Sequence, residues 1–269
     1  MSYRPWLTLP LVLLLAATAA QAQSDERTQR WLRNCNDDSH RDRARFCEVR
    51  EYSLRPTSQL MVDGGDNGGV SFIGWDRDEV KVVAMIQASA DNDSEARAMA
   101  REVKVSAAGG RVQAEGPRSW GRESWSVSYN VYVPARSNLQ AVTKNGGVSA
   151  ELVEGTMEFR ATNGGIRLDQ VAGDVRAQTT NGGVKARLTG STWRGRGLDL
   201  RTTNGGVDLS VPRGYNARLE TGTVNGGMNI GFPITVRGRI GRHVETQLGS
   251  GGPLIRATTT NGGVRISEI

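Results

Sequence analysis

Few residues in this chain have the types and spacing that catalysis needs. His40 and His243 are the only histidines, and His40 stands in a charged stretch. A Ser-His-Asp or Cys-His arrangement would therefore have to rest on His243 alone. Many solenoid polysaccharide lyases use clustered acids and calcium, but no repeated Asp occurs here and the Gly-Gly-x-Gly-x-Asp calcium repeat is absent. Asp63 and Asp66, in Asp63-Gly64-Gly65-Asp66-Asn67, are the best candidates for a metal and read more simply as a turn. Cys35 and Cys47, the only cysteines, are not spaced as a redox or zinc motif. The sequence points to no catalytic residue, no metal and no cofactor. A non-catalytic binding or structural module is expected. The alternative is a carbohydrate-active β-helix enzyme, lyase or hydrolase, which would show convergent acids around a bound cation.

Binding chemistry is better supplied. Trp193, Arg194, Arg196, Arg213 and Tyr215 combine aromatic faces with guanidinium forks, which suit an anionic envelope polymer or glycan. An envelope polysaccharide or another surface component is the expected partner. The alternative has Trp193 and Tyr215 folding back over the edge of the structure. Nucleic acid is not expected, because the chain is only mildly basic and has no Lys-rich stripe.

These five residues interrupt a repeat that must position them. Asn145, Asn163, Asn181, Asn204, Asn225 and Asn261 each begin an Asn-Gly-Gly-(Val/Ile/Met) motif, at spacings of 18, 18, 23, 21 and 36 residues. Such periodicity is the signature of a stacked array. The 36 is twice 18, which suggests a degenerate copy near Ser250-Gly251-Gly252. The spacings of 23 and 21 carry extra residues around 190–196 and 212–215, opposite the Asn-Gly-Gly turn on consecutive coils, so both insertions should bulge from one side.

Around each Asn, apolar residues or Thr stand six, four and two positions before it and three and five after it, as in Val175/Ala177/Thr179 and Val184/Ala186. Period-two alternation places them on the inward face of two strands. Five positions before each Asn the outward column runs Gln140, Glu158, Arg176, Asp199, Glu220, Arg256, with like charges meeting at Asp199 and Glu220. An Asn-Gly turn flanked by alternating strands fits an antiparallel hairpin. The recurrence of inward positions favours instead an all-β parallel β-solenoid, right-handed as such connections usually are. The asparagines then form a ladder that passes amide hydrogen bonds between coils, and the glycines supply positive-φ backbone.

Upstream, Arg4, the apolar run Leu9 to Ala20 and Ala20-Gln21-Ala22 form a cleavable signal peptide over 1–22, so the protein is expected to be exported, periplasmic or extracellular. No later apolar run is long enough to span a bilayer as a helix. An oxidising compartment favours a Cys35–Cys47 disulfide contributing about 3 kcal/mol. Residues 23–46 form a polar extension, 47–138 an opening β region, and 139–269 the repeats. One short helix is expected near 94–103, where Ala96, Met99, Ala100 and Val103 share a face behind an acidic, cap-rich start. Of the 34 basic residues, 30 are arginine; 145–269 hold 15 basic against 10 acidic side chains, so the excess positive charge lies in the repeats. The chain stops at Ile269 within a strand, so either residues 233–258 cover that end or it pairs with a second copy.

From Cys47 to Ile269 the chain resembles the bacterial β-solenoid group described as candidate adhesins, with its recurrent Thr-x-Asn-Gly-Gly-(Val/Ile) coils. VSFIGWDRD at Val70 to Asp78, LSVPRGYNA at Leu209 to Ala217 and LGSGGPLIRATTTN at Leu248 to Asn261 carry the likeness. The resemblance implies the fold and an adhesin-like role at the cell envelope, and brings no catalytic residues.

Overall fold

Residues 26–35, 43–234 and 241–269 are described by the computed structural model. The expected signal peptide and cleavage site, and His40, lie outside them. Two ten-stranded sheets, six strands of each supplied by the repeats, face each other across an apolar core. Strands after the Asn form sheet I: β9 (Val148–Glu151), β11 (Ile166–Asp169), β13 (Val184–Arg187), β15 (Val207–Val211), β17 (Met228–Ile230) and β20 (Val264–Glu268). Strands before it form sheet II: β8 (Leu139–Thr143), β10 (Glu154–Ala161), β12 (Ala172–Asn181), β14 (Gly197–Asn204), β16 (Ala217–Asn225) and β19 (Leu254–Asn261).

Pairing among these repeat strands is parallel and keeps equivalent residues in register, so Leu139, Met157, Val175, Leu198, Ile255 and Leu219 form one buried column. Each such large side chain contributes roughly 1.5–3 kcal/mol by leaving water. Both faces of the core are filled this way, which is what the period-two alternation demands.

The stacking order departs from chain order. The last coil, β19–β20, lies between β14–β15 and β16–β17. The spacing of 36 is therefore no doubled period. After β17 the chain passes to β18 (His243–Leu248), which lies antiparallel on β16, and Ser250-Gly251-Gly252 is the turn that leads into β19. The C-terminal strand is bonded on both sides, to β15 and β17, so the expected open edge at Ile269 does not exist. Within the 233–258 span, β18 covers the end made by β16, not one made by β20.

The other end is closed by similar means. β2 (Leu60–Asp63) and β3 (Val70–Trp75), joined through Asn67-Gly68-Gly69, form the coil beside β8–β9. β6 (Arg111–Glu115) and β7 (Ser124–Pro134) pair parallel to them from outside. Antiparallel strands then finish the sheets: β4 (Val80–Ala90) and β1 (Ala44–Leu54) in sheet I, β5 (Lys104–Ala108) in sheet II.

Among the described residues there are two helices rather than one. Helix α1 spans 26–35, and α2 is Asp93–Glu102. Asn92 caps α2 by accepting from the Glu95 amide at 3.0 Å, and Ala96, Met99 and Ala100 are buried beneath it. Helix α1 packs Trp31 onto Trp75, Val83, Met85 and Tyr132. Val83 and Met85 alternate with the core residues Val82, Ala84 and Ile86, so this cluster lies on the outer face of sheet I. The Cys35–Cys47 disulfide ties the helix to β1.

Candidate functional site

The two insertions do meet. Thr192 and Asn216 form a parallel bridge, and the Asn216 amide donates to the Ser191 carbonyl at 2.8 Å. Their chemistry, however, is spent on the fold. Trp193 is 3% exposed and donates its ring N–H to the Gly173 carbonyl at 2.9 Å; Tyr215 is 4% exposed. Burial pushes the Tyr215 phenol up to about 12, opposed by nearby Arg194. The three arginines stay exposed but each meets a carboxylate: Arg194 with Glu154 at 3.4 Å, Arg213 with Glu268 at 3.4 Å, and Arg196 with Asp174. Of the two readings the sequence left open, the rings take the second: Trp193 and Tyr215 fold back into the structure, and only the arginines remain on the surface. Both rings face inward because a coil corner enlarged by several residues leaves a hollow that large apolar side chains fill.

The outer face of sheet II carries an ion-pair network of its own. Because β19 is inserted, Arg256 stands between Asp199 and Glu220, and the expected like-charge meeting becomes an alternation. Arg256 donates to Glu220 at 2.7 Å and lies 3.8 Å from Asp199, which also takes Arg201 at 2.8 Å. The bond from Arg256 holds the Glu220 carboxyl below its ordinary range, and Glu220 raises Arg256 in return.

At the turn between the sheets, seven side-chain amides run in one line: Asn67, Asn145, Asn163, Asn181, Asn204, Asn261 and Asn225. Each donates to the one before it at 2.7–3.1 Å. The ladder sits on the surface, not within the core. Inside it, buried Thr143, Thr179, Thr202, Thr259 and Thr223 each donate to the first-glycine carbonyl of the adjoining coil.

The two glycines of each turn have different reasons to be there. Among the repeat glycines only Gly262 has positive φ, so backbone conformation is not the general cause. A Cβ at the first glycine would collide with the next coil, as at Gly182, 2.3 Å from the Gly164 carbonyl oxygen. A Cβ at the second would stand farther off, as at Gly183, 3.4 Å from Gly206.

What the second glycines leave open is a trough along the outer face of sheet I. Two hollows of about 640 and 540 Å³ share Gly183 and Lys185 and are floored by Gly69, Gly147, Gly165, Gly183, Gly206, Gly263 and Gly227. One wall is a register column four positions after each Asn: Ser71, Ser149, Arg167, Lys185, Asp208, Arg265, Asn229. Arg187 lies one outward position further along β13. Among the described residues, no carboxylate lies within ion-pairing distance of Arg167, Lys185, Arg187 or Arg265, all exposed. Sequence reasoning missed this site. Its signal was the outward column after the turn, which alignment on the Asn displays as plainly as the one before it.

The remaining candidates are accounted for locally. Asp63 accepts from the Gly65 amide at 2.9 Å, a turn contact, and Asp66 pairs with Lys144 at 3.1 Å. His243 bonds Glu245 at 3.2 Å on the exposed side of β18. Among the described residues no group of three His, Cys, Asp or Glu is placed to hold a metal, and no helix is long and apolar enough to cross a membrane.

A two-sheet β-solenoid stacked on Asn-Gly-Gly turns, with antiparallel strands closing both sheets at the β2–β3 end and sheet II at the other, defines the class. The chain belongs to the Toastrack DUF4097 family, whose model matches residues 65–267. No curated protein matches it. Among solved structures, it is similar to a candidate cell adhesion protein from Clostridium sporogenes, at 13% identity and TM-score 0.44, covering 83% of this chain and all of that one. A candidate adhesin from Bacteroides fragilis matches at 12% identity and TM-score 0.44, covering 83% and 97%. A Parabacteroides distasonis protein described as a candidate lipid-binding protein matches at 10% and 0.35, covering 83% and 96%.

Proposed function

We propose that this protein is an exported, non-catalytic binding module of the bacterial cell envelope, and that the glycine-floored trough on sheet I takes an anionic envelope glycan lengthwise. The observation that carries this reading is the row of unpaired cations beside the trough. Arg167, Lys185 and Arg265 line an open, extended track, whereas Arg176, Arg201 and Arg256 of sheet II and the arginines of the insertions are occupied by acids. A polymer with regularly placed carboxylates or phosphates matches such a track better than a compact ligand does. Arginine forks give such groups bidentate contacts. The signal peptide expected from the sequence and the Cys35–Cys47 disulfide both fit an address outside the cytoplasm.

The test is binding of the purified protein to a polyuronate and to a neutral glucan of similar length. The polyuronate is expected to bind, more weakly as salt rises. Binding should be lost in Arg167→Ser/Lys185→Ser/Arg265→Ser and kept in the control Arg194→Ser/Arg196→Ser/Arg213→Ser. Equal binding of the neutral glucan, or undiminished binding by the sheet I variant, would overturn the reading.

A further inference from the structure

Another hollow lies beside the trough and shares Tyr129 with it, at the β2–β3 end of the Asn ladder, and its chemistry is of another kind. It measures about 960 Å³ and opens between the Asp63–Asn67 turn and the loop joining β6 to β7. Trp120, on that loop, is 71% exposed, the largest exposure among the big apolar side chains of the described residues. Trp125, half-buried beside it, is fixed by its ring N–H donating to the Pro117 carbonyl at 2.8 Å. Its ring lies so close to Gly116 that a Cβ there would come within 2.6 Å. One aromatic ring is held rigidly while a second faces solvent.

The floor holds an orphan. The Tyr129 side chain is 1% exposed and its buried hydroxyl has no hydrogen-bond partner. Burial first, then the Asp63 charge, raises this phenol above its ordinary range, so it stays protonated and able to donate. An unpaired buried hydroxyl costs about 1–3 kcal/mol, and a ligand hydroxyl entering the hollow would relieve that cost. Asn67 adds a second unused group. As the first rung, it accepts from Asn145, while its own side-chain N–H groups have no acceptor among the described residues.

The charge around the hollow runs opposite to that of the trough. Asp63, Asp66 and Glu115 outnumber Arg118 and Lys144, and Lys144 is already paired with Asp66. Carboxylates accept from hydroxyls and repel an anionic ligand. An indole face beside carboxylate acceptors, an amide donor and a phenol matches a pyranose ring, which offers an apolar C–H face and a rim of hydroxyls.

We propose that this hollow is a saccharide site for an uncharged hexose unit, with Trp120 stacking on the ring, Asp63 accepting from ring hydroxyls, and Tyr129 and Asn67 donating to them. It does not depend on the trough or on an anionic ligand. The test is a titration of the purified protein with short neutral gluco-, manno- and N-acetylglucosamine-type oligosaccharides, followed by intrinsic tryptophan fluorescence and calorimetry. At least one is expected to bind and shift the emission, and Trp120→Ala should weaken it about tenfold or more. Tyr129→Phe separates a binding role from a structural one. It deletes an unpartnered buried hydroxyl, so the melting temperature should hold or rise while affinity falls. The site is overturned if no oligosaccharide of the panel binds the wild type, if Trp120→Ala binds as wild type does, or if Tyr129→Phe loses no affinity.

Discussion

The two outer faces of the solenoid are made by the same repeat and have opposite characters. On sheet II, acids and bases alternate up the stack and bond one another, through Arg256 between Asp199 and Glu220 and through Arg201 on Asp199. On sheet I, Arg167, Lys185 and Arg265 stand beside a strip of bare glycine backbone and make no ion pair among the described residues, although Asp208 stands in register between Lys185 and Arg265. A parallel stack forces every outward position into a column, so charge sequence along a column decides whether a face closes on itself or stays available. Sheet II closes and sheet I does not.

That contrast can be broken from several sides. The largest effect is expected at the insertions, which belong with the closed regions. Trp193→Ala should cost about 3–5 kcal/mol in denaturant unfolding, as the loss of a buried aromatic does. It should leave polymer binding unchanged at temperatures where the variant is folded. Next come the glycines. Gly182→Ala forces a Cβ against the Gly164 carbonyl and should cost about 3 kcal/mol as overpacking. Gly183→Ala should cost under about 1 kcal/mol yet lower polymer affinity by narrowing the trough. Equal destabilisation by the two would remove the distinction between stacking glycine and trough glycine.

A smaller effect belongs to the Glu220–Arg256 pair, whose side chains are 21% and 30% exposed. Because Arg256 depresses the Glu220 pKa from 4.5, the pair's stabilisation is complete above that ordinary value. It is lost as pH falls through the lower folded value. Glu220→Gln should cost about 1 kcal/mol near neutrality. Unfolding followed from about pH 7 to about pH 3 should show the variant losing less stability than wild type over the acid end of that range. The smallest change is expected from Asn181→Ala, about 0.5–1 kcal/mol, since the rung it removes is exposed. A melting curve identical to wild type would count against the ladder as a stabilising element.

Much of this architecture was legible in residue spacing. Inward columns, the Asn line, the α2 helix with its Asn92 cap and the Cys35–Cys47 disulfide all follow from local rules of periodicity, capping and compartment. The order of stacking was not. Nothing local distinguishes β20 as an end strand from β20 as a strand inserted between β15 and β17, because its inward residues, Val264 and Ile266, fit either place. The charges do distinguish them. Arg256 relieves Asp199 and Glu220 only in the inserted position, so the like-charge clash in the simple order was the available clue. The site was misplaced for a related reason. Trp193 and Tyr215 stand where the period breaks, and a broken period marks a loop without telling whether its rings face water or core. Helix α1 was legible only as a short helix at most within 23–46, because that stretch is rich in charge and Trp31 and Cys35 supply only a narrow apolar stripe.

The most direct test of the contrast between the faces is an amide-resolved NMR titration of the protein with a polyuronate. Binding in the trough predicts chemical-shift changes concentrated at Gly147, Gly165, Gly183, Gly206 and Gly263 and at the neighbouring Arg167, Lys185 and Arg265, with sheet II silent. Changes centred instead on Arg176, Asp199 and Arg256, or on the 190–196 and 212–215 insertions, would contradict it.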